Sequence, residues 1–107
     1  TKVKASGALT IMLGKSDGVY YYEGDDPTKM LSTNYKDVRE VIINKKKSTK
    51  PEDFVVVIKP NDEANYKNVV AILDEMTINE VKKYALVPIS PVENELLVAT
   101  EKANNIQ

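Results

Sequence analysis

At 107 residues, 42% hydrophobic and 29% charged, the chain has the size and composition of one globular domain with a single core. A formal charge of −1 excludes a strong pull toward nucleic acid or an acidic membrane surface. Cysteine and histidine are both absent, which excludes disulfides, thiolate metal sites, cysteine nucleophiles and the commonest general base.

No apolar run approaches the roughly 20 residues of a membrane span, and the N-terminus does not resemble a signal peptide. The chain starts at Thr1 without a methionine, so the expectation is a processed protein or an excised domain, which leaves room for an anchor upstream. Residues 1–7 are polar and read as frayed. Leu9, Ile11 and Leu13 then alternate with Thr10 and Met12, the pattern of a half-buried strand. Gly14-Lys15-Ser16-Asp17-Gly18 reads as a turn, and Val19-Tyr20-Tyr21-Tyr22 as the returning strand of a hairpin. Alternation places Val19 and Tyr21 on one face, and Tyr20 and Tyr22 on the other.

Residues 23–34 form a connection with Met30 and Leu31 tucked underneath. Asn34 suits the cap of a helix whose buried stripe is Tyr35, Val38, Val41 and Ile42. Lys45, Lys46 and Lys47 end that helix, where cations suit its dipole. The run Phe54-Val55-Val56-Val57-Ile58-Lys59 is nearly all apolar and β-branched, so it predicts a strand lying centrally in the sheet. Pro60-Asn61-Asp62 breaks it. Asn65 then caps the clearest helix, with Tyr66, Val69, Val70, Leu73 and Met76 facing inward and Lys67, Asn68, Asp74 and Glu75 facing out.

Tyr84-Ala85-Leu86-Val87-Pro88-Ile89 reads as a fourth strand. Pro88 lacks a backbone donor, so its end belongs at an edge or bulge. Pro91 resets the chain. Leu96, Leu97 and Val98 form a short apolar cluster, either a fifth strand or a helical turn. The order β-β-α-β-α-β predicts an α/β two-layer sandwich. Its mixed sheet combines a hairpin with right-handed crossovers, and two helices pack on one face.

Chemistry-bearing groups are few. Glu23, Asp25 and Asp26 lack the spacing of a calcium loop and read as a solvated acidic turn. Asp62 and Glu63 have no nucleophile or metal ligand beside them. Lys45, Lys46, Lys47 and Lys50 read as a solvated helix end. One ring of the tyrosine triplet is expected to be left exposed, as a binding signal. Tyr84, Leu86 and Ile89, or Leu96, Leu97 and Val98, are expected to offer a sheet edge to another chain. The alternative is packing of the C-terminus onto its own domain. The one arginine, Arg39, has no glycine-rich loop near it, so a phosphate- or acyl-handling enzyme is disfavoured. No catalytic residue, cofactor or metal is expected.

Residues 54–87 resemble the extracytoplasmic domain of the ExbD/TolR biopolymer-transport family. The match rests on Val55-Val56-Val57-Ile58-Lys59, Asp62, Tyr66, Val69-Val70, Leu73-Asp74 and Ala85-Leu86-Val87. Upstream, Asp17-Gly18-Val19-Tyr20 and Gly24 also fit, so the resemblance covers most of the chain. Asp62, Tyr66 and Asp74 are its landmarks. The family's usual glycine after the second helix falls at Glu80, and Asn79 is expected to take the left-handed role instead.

The resemblance implies the periplasmic domain of a single-pass inner-membrane protein, with its cytoplasmic segment and transmembrane helix absent from residues 1–107. It implies a non-catalytic homodimer in a proton-motive-force-driven complex, joined to an ExbB-like membrane protein through the anchor and to a TonB-like periplasmic protein. The TolR-like variant would instead bind peptidoglycan in a Tol-Pal-type envelope system.

Overall fold

Leu9, Ile11 and Leu13 alternate with Thr10 and Met12, and in a computed structural model, which describes residues 7–103, both sets are buried. They form Ala8–Leu13 (β1), which pairs antiparallel with Val19–Glu23 (β2). The turn between them is tighter than its five residues suggest. Gly18 N donates to Lys15 O at 3.0 Å around Ser16 and Asp17, which both take left-handed φ, 56° and 58°. This is a two-residue hairpin turn of the type whose twist matches the strands.

A single 3-10 turn, Pro27–Lys29, leads to Leu31–Thr33 (β3), which pairs with β2. Val38–Lys47 (α1) follows. Asn34 caps the turn just before α1, its Oδ1 accepting from Asp37 N at 2.7 Å. Val55–Pro60 (β4) runs parallel to β1, Tyr66–Ile78 (α2) crosses back, and Tyr84–Leu86 (β5) runs parallel to β4. Pro91–Ala103 (α3) ends the described chain. The sheet order is β3-β2-β1-β4-β5. The middle strand is therefore β1, with β4 beside it and next to the β5 edge.

Two cores flank the sheet. On one face Leu9, Ile11, Leu13, Val19, Val56 and Ile58 pack beneath Val38 and Ile42 of α1 and Ile72 and Met76 of α2. Each such fully buried side chain contributes about 1.5–3 kcal/mol. On the other face Met12, Tyr20 and Tyr22 are covered by Leu97 of α3, with Met30 and Ile89 alongside.

The expected mixed sheet and its two helices on one face are present, and the structure adds β3 and α3. Because α3 covers the second face, β1 is buried on both sides, not half-buried. Residues 96–98 lie in α3, so the helical alternative holds. Gly7 is buried against Asp53, so the frayed segment does not extend to it, and residues 1–6 lie outside the described residues.

The buried stripe of α2 is rotated from the one expected. Tyr66 is 81% exposed, whereas Asn68 and Glu75 are buried with Ile72 and Met76. Polar partners explain this. Asn68 shares a reciprocal capping box with Asn65 and donates from Nδ2 to Asp17 Oδ1 at 2.9 Å. Glu75 receives a two-pronged hydrogen bond from Arg39 of α1, both distances 2.9 Å. The bonding holds the Glu75 carboxyl below its ordinary range, since Arg39 and Asn79 outweigh the effect of burial.

Candidate functional site

The open edge of the sheet is β5. On its inner side Val56 N donates to Lys83 O at 3.0 Å and Val87 N to Ile58 O at 2.9 Å. Alternation along a parallel strand then turns the N–H and C=O of Tyr84 and Leu86 outward, where no further strand is paired among the described residues. The side chains are exposed too: Tyr84 by 45%, Leu86 by 53% and Val87 by 37%. Three apolar side chains on an unpaired edge are the arrangement that natural sheets usually cover or charge. The opposite edge, β3, presents a single exposed apolar residue, Leu31.

The six residues expected to bind a partner separate in space. Tyr84 and Leu86 lie on the edge, while Ile89 turns under the second face and packs with Met12, Tyr20 and Tyr22. Leu97 is fully buried and offers nothing to a partner, and Leu96 and Val98 are half-buried on α3. Asp62 is exposed in the β4–α2 turn. Tyr66 and Asp74 flank a shallow groove with Val70 and Ala71 on the outer side of α2.

No ring of the tyrosine triplet is exposed, contrary to expectation: α3 covers Tyr20 and Tyr22, and Tyr21 packs partly against the first core. The charged clusters have structural partners. Lys45 is buried and pairs with Glu23 at 3.1 Å, so it is not part of a solvated helix end. Lys46 Nζ donates to Asn79 O at 2.8 Å, closing the end of α2. Asp26 accepts from Thr28 N at 3.1 Å and caps the 3-10 turn.

The left-handed residue after α2 is Glu80 itself, at φ 55°, while Asn79 stays at φ −94°. Val81 N bonds Met76 O at 2.8 Å and Glu80 N bonds Thr77 O at 3.2 Å, the two hydrogen bonds of a Schellman stop. The stop is therefore built as if Glu80 were the glycine.

One polar group went unread in the sequence. Glu93 on α3 is buried and accepts from Tyr22 Oη at 2.6 Å, Lys59 Nζ at 2.7 Å and Ser90 N at 3.0 Å. Burial alone would raise its pKa, but Lys59, Tyr22 and Ser90 together hold it down to about 2. Glu93 N in turn bonds Ser90 Oγ at 3.2 Å, which completes a capping box. The signal was present: Ser90-Pro91-Val92-Glu93 is a Ser-x-x-Glu box with proline at the first helical position.

Among the described residues no helix is long and apolar enough to cross a membrane. No curated protein matches the chain. A family model described as biopolymer transport protein ExbD/TolR matches residues 1–88, ending before α3. With that much of its length matched, the chain belongs to the ExbD/TolR biopolymer-transport family.

Proposed function

We propose that the chain is the periplasmic, non-catalytic part of an energy-transducing complex of the ExbB–ExbD–TonB kind, acting as a homodimer paired through β5. The observation that carries the dimer is the open β5 edge, with Tyr84, Leu86 and Val87 exposed along it. Two copies meeting there by a two-fold axis would pair their outward backbone groups and cover the same side chains reciprocally. An ExbB-like membrane protein would be met through the anchor helix of the whole protein, and a TonB-like periplasmic segment would compete for or extend the same edge. Transmission through such pairing needs no reactive group, which suits a surface whose single arginine is bonded to Glu75.

Sedimentation of the chain over a concentration series tests this reading. Reversible dimerisation, shifted by a TonB-type periplasmic peptide, is expected. A strictly monomeric domain at millimolar concentration, with no response to that peptide, overturns it. Retention on peptidoglycan sacculi would assign the TolR-like role instead.

A further inference from the structure

Helix α3 follows the residues that the family model matches, and it seats a second acidic side chain against the domain about two turns beyond Glu93. Glu101 is only 3% exposed, and the fully buried Leu97 stands midway between the two in sequence. The two carboxyls meet opposite surroundings. Glu93 accepts from Tyr22, Lys59 and Ser90, whereas Glu101 Oε2 has no hydrogen-bond partner.

That oxygen lies in a close-packed junction with the hairpin turn. A Cβ on Gly14 would stand 2.9 Å from it, 3.1 Å from Leu97 Cδ2 and 3.5 Å from Tyr20 Cε1. A Cβ on Gly18 would stand 2.7 Å from Tyr20 Oη. Tyr20 is fully buried, and its hydroxyl is also without a partner. A carboxyl and a hydroxyl are thus buried near each other with neither of these oxygens bonded, which disfavours a charge there far more than a neutral acid.

Ionisable groups reach the junction from every neighbouring segment. Lys15 of the hairpin turn and Asp62 and Glu63 of the β4–α2 turn line one cleft with Glu101. Asp17, in the same hairpin turn, is engaged by Asn68 Nδ2 at 2.9 Å, and Lys102 on α3 is exposed. Burial raises the Glu101 carboxyl above its ordinary pKa; the Lys15 charge opposes this, Glu63 adds to it, and the Lys15 backbone N–H opposes it again. Burial and Glu101 push the Tyr20 hydroxyl up to about 12, so Tyr20 stays neutral. The helix also has a place to bend. Thr100 Oγ1 donates to Leu96 O at 2.8 Å, a side-chain bond to the carbonyl one turn back that loosens and bends helices.

We propose that the last turn of α3 is a proton-operated strap, seated on the hairpin turn while Glu101 is neutral and lifted when Glu101 ionises. Glu93 and Leu97 hold the rest of the helix to the sheet in both states. A carboxyl whose folded pKa lies above the ordinary 4.5 supports seating fully below pH 4.5, and that support is lost as pH rises through the folded value. The strap therefore closes on mild acidification, in a range where Glu93, held down to about 2, is still ionised. No residue of β5 takes part, so the strap and the β5 dimer stand or fall separately.

NMR of the 107-residue chain from about pH 3 to about pH 8 tests the strap. The Glu101 carboxyl carbon should titrate with a midpoint above 4.5. The heteronuclear NOE of residues 100–103 should fall with the same midpoint as pH rises, and the amides of Gly14 and Gly18 should shift with it. Glu101→Gln, neutral at every pH, should keep that NOE high throughout and abolish the transition. Lys15→Met should move the midpoint up and Glu63→Gln should move it down, opposite shifts that a general loss of fold does not produce. A Glu101 midpoint at or below 4.5 overturns the proposal. So does an NOE that stays high while Glu101 ionises, because the charge would then be tolerated in place. A transition that persists in Glu101→Gln overturns it as well.

Discussion

The Tyr22 hydroxyl donates to Glu93 Oε2 at 2.6 Å, joining residues 71 apart in sequence. Lys59 reaches the same oxygen at 2.7 Å, so one carboxylate links β2, β4 and α3. A buried carboxylate with two such donors latches α3 onto the sheet, and its protonation would release the latch.

Acid should therefore weaken the domain through Glu93. Its folded pKa, about 2, lies below the ordinary 4.5, so this stabilisation is complete above about pH 4.5 and is lost as pH falls toward 2. The side chain is only 7% exposed, so solvent screening is slight, and the contribution is on the order of 2–3 kcal/mol. Glu93→Gln should lose about that much in urea unfolding at neutral pH and flatten the acid limb of the stability profile. An acid limb unchanged in the variant would rule out Glu93 as the titrating group.

Leu97 supplies the apolar half of the same attachment, fully buried over Met12 and Tyr20. Leu97→Ala should cost about 2–4 kcal/mol by lost transfer energy and the cavity left behind. Thermal unfolding measures it. A loss under about 0.5 kcal/mol, the ordinary range for a surface change, would mean that α3 is not docked in solution.

Glu80→Gly should stabilise the domain. Glu80 adopts φ 55° at the end of α2, a conformation that glycine takes without steric strain. The gain expected is about 1 kcal/mol, less the extra chain entropy that glycine brings to the unfolded state. Chemical denaturation should show the midpoint rising with an unchanged slope, and a falling midpoint would contradict the geometry.

Leu86→Pro separates association from folding. The Leu86 N–H points away from β4, so its removal breaks no bond of the ladder, whereas it blocks pairing on the outer side. The variant should keep the circular dichroism and unfolding midpoint of the parent to within about 1 kcal/mol and sediment as a monomer. Dimerisation that survives the substitution would move the interface away from β5.

The alternation of residues 9–13, the apolar run after Phe54 and the cap at Asn65 each depend on neighbours within a few residues. That is why β1, β4 and α2 were legible in advance. Tyr66 faces outward despite its place in the apolar period, because periodicity reports apolar positions and not which stripe the partners select. Arg39 and Asp17, 36 and 51 residues from the groups they meet, turned Glu75 and Asn68 inward instead. Helix α3 is signalled locally by Ser90, Pro91 and Glu93, whereas Leu96, Leu97 and Val98 by themselves fit a strand as well as a helical turn.

The family was equally legible in residues 54–87, since a hydrophobic pattern of strand, turn and helix survives as linear order. The sequence by itself thus determined an α/β domain with a mixed sheet, two helices on one face and no cysteine or histidine chemistry. Only the tertiary structure decided that β1 is the middle strand, that α3 seals the second face through Glu93 and Leu97, and that β5 is left open. It also brought Lys15, Asp62, Glu63 and Glu101 around one cleft. Burial, edge exposure and the pairing of distant charges depend on which segments meet in space, and local pattern does not encode that.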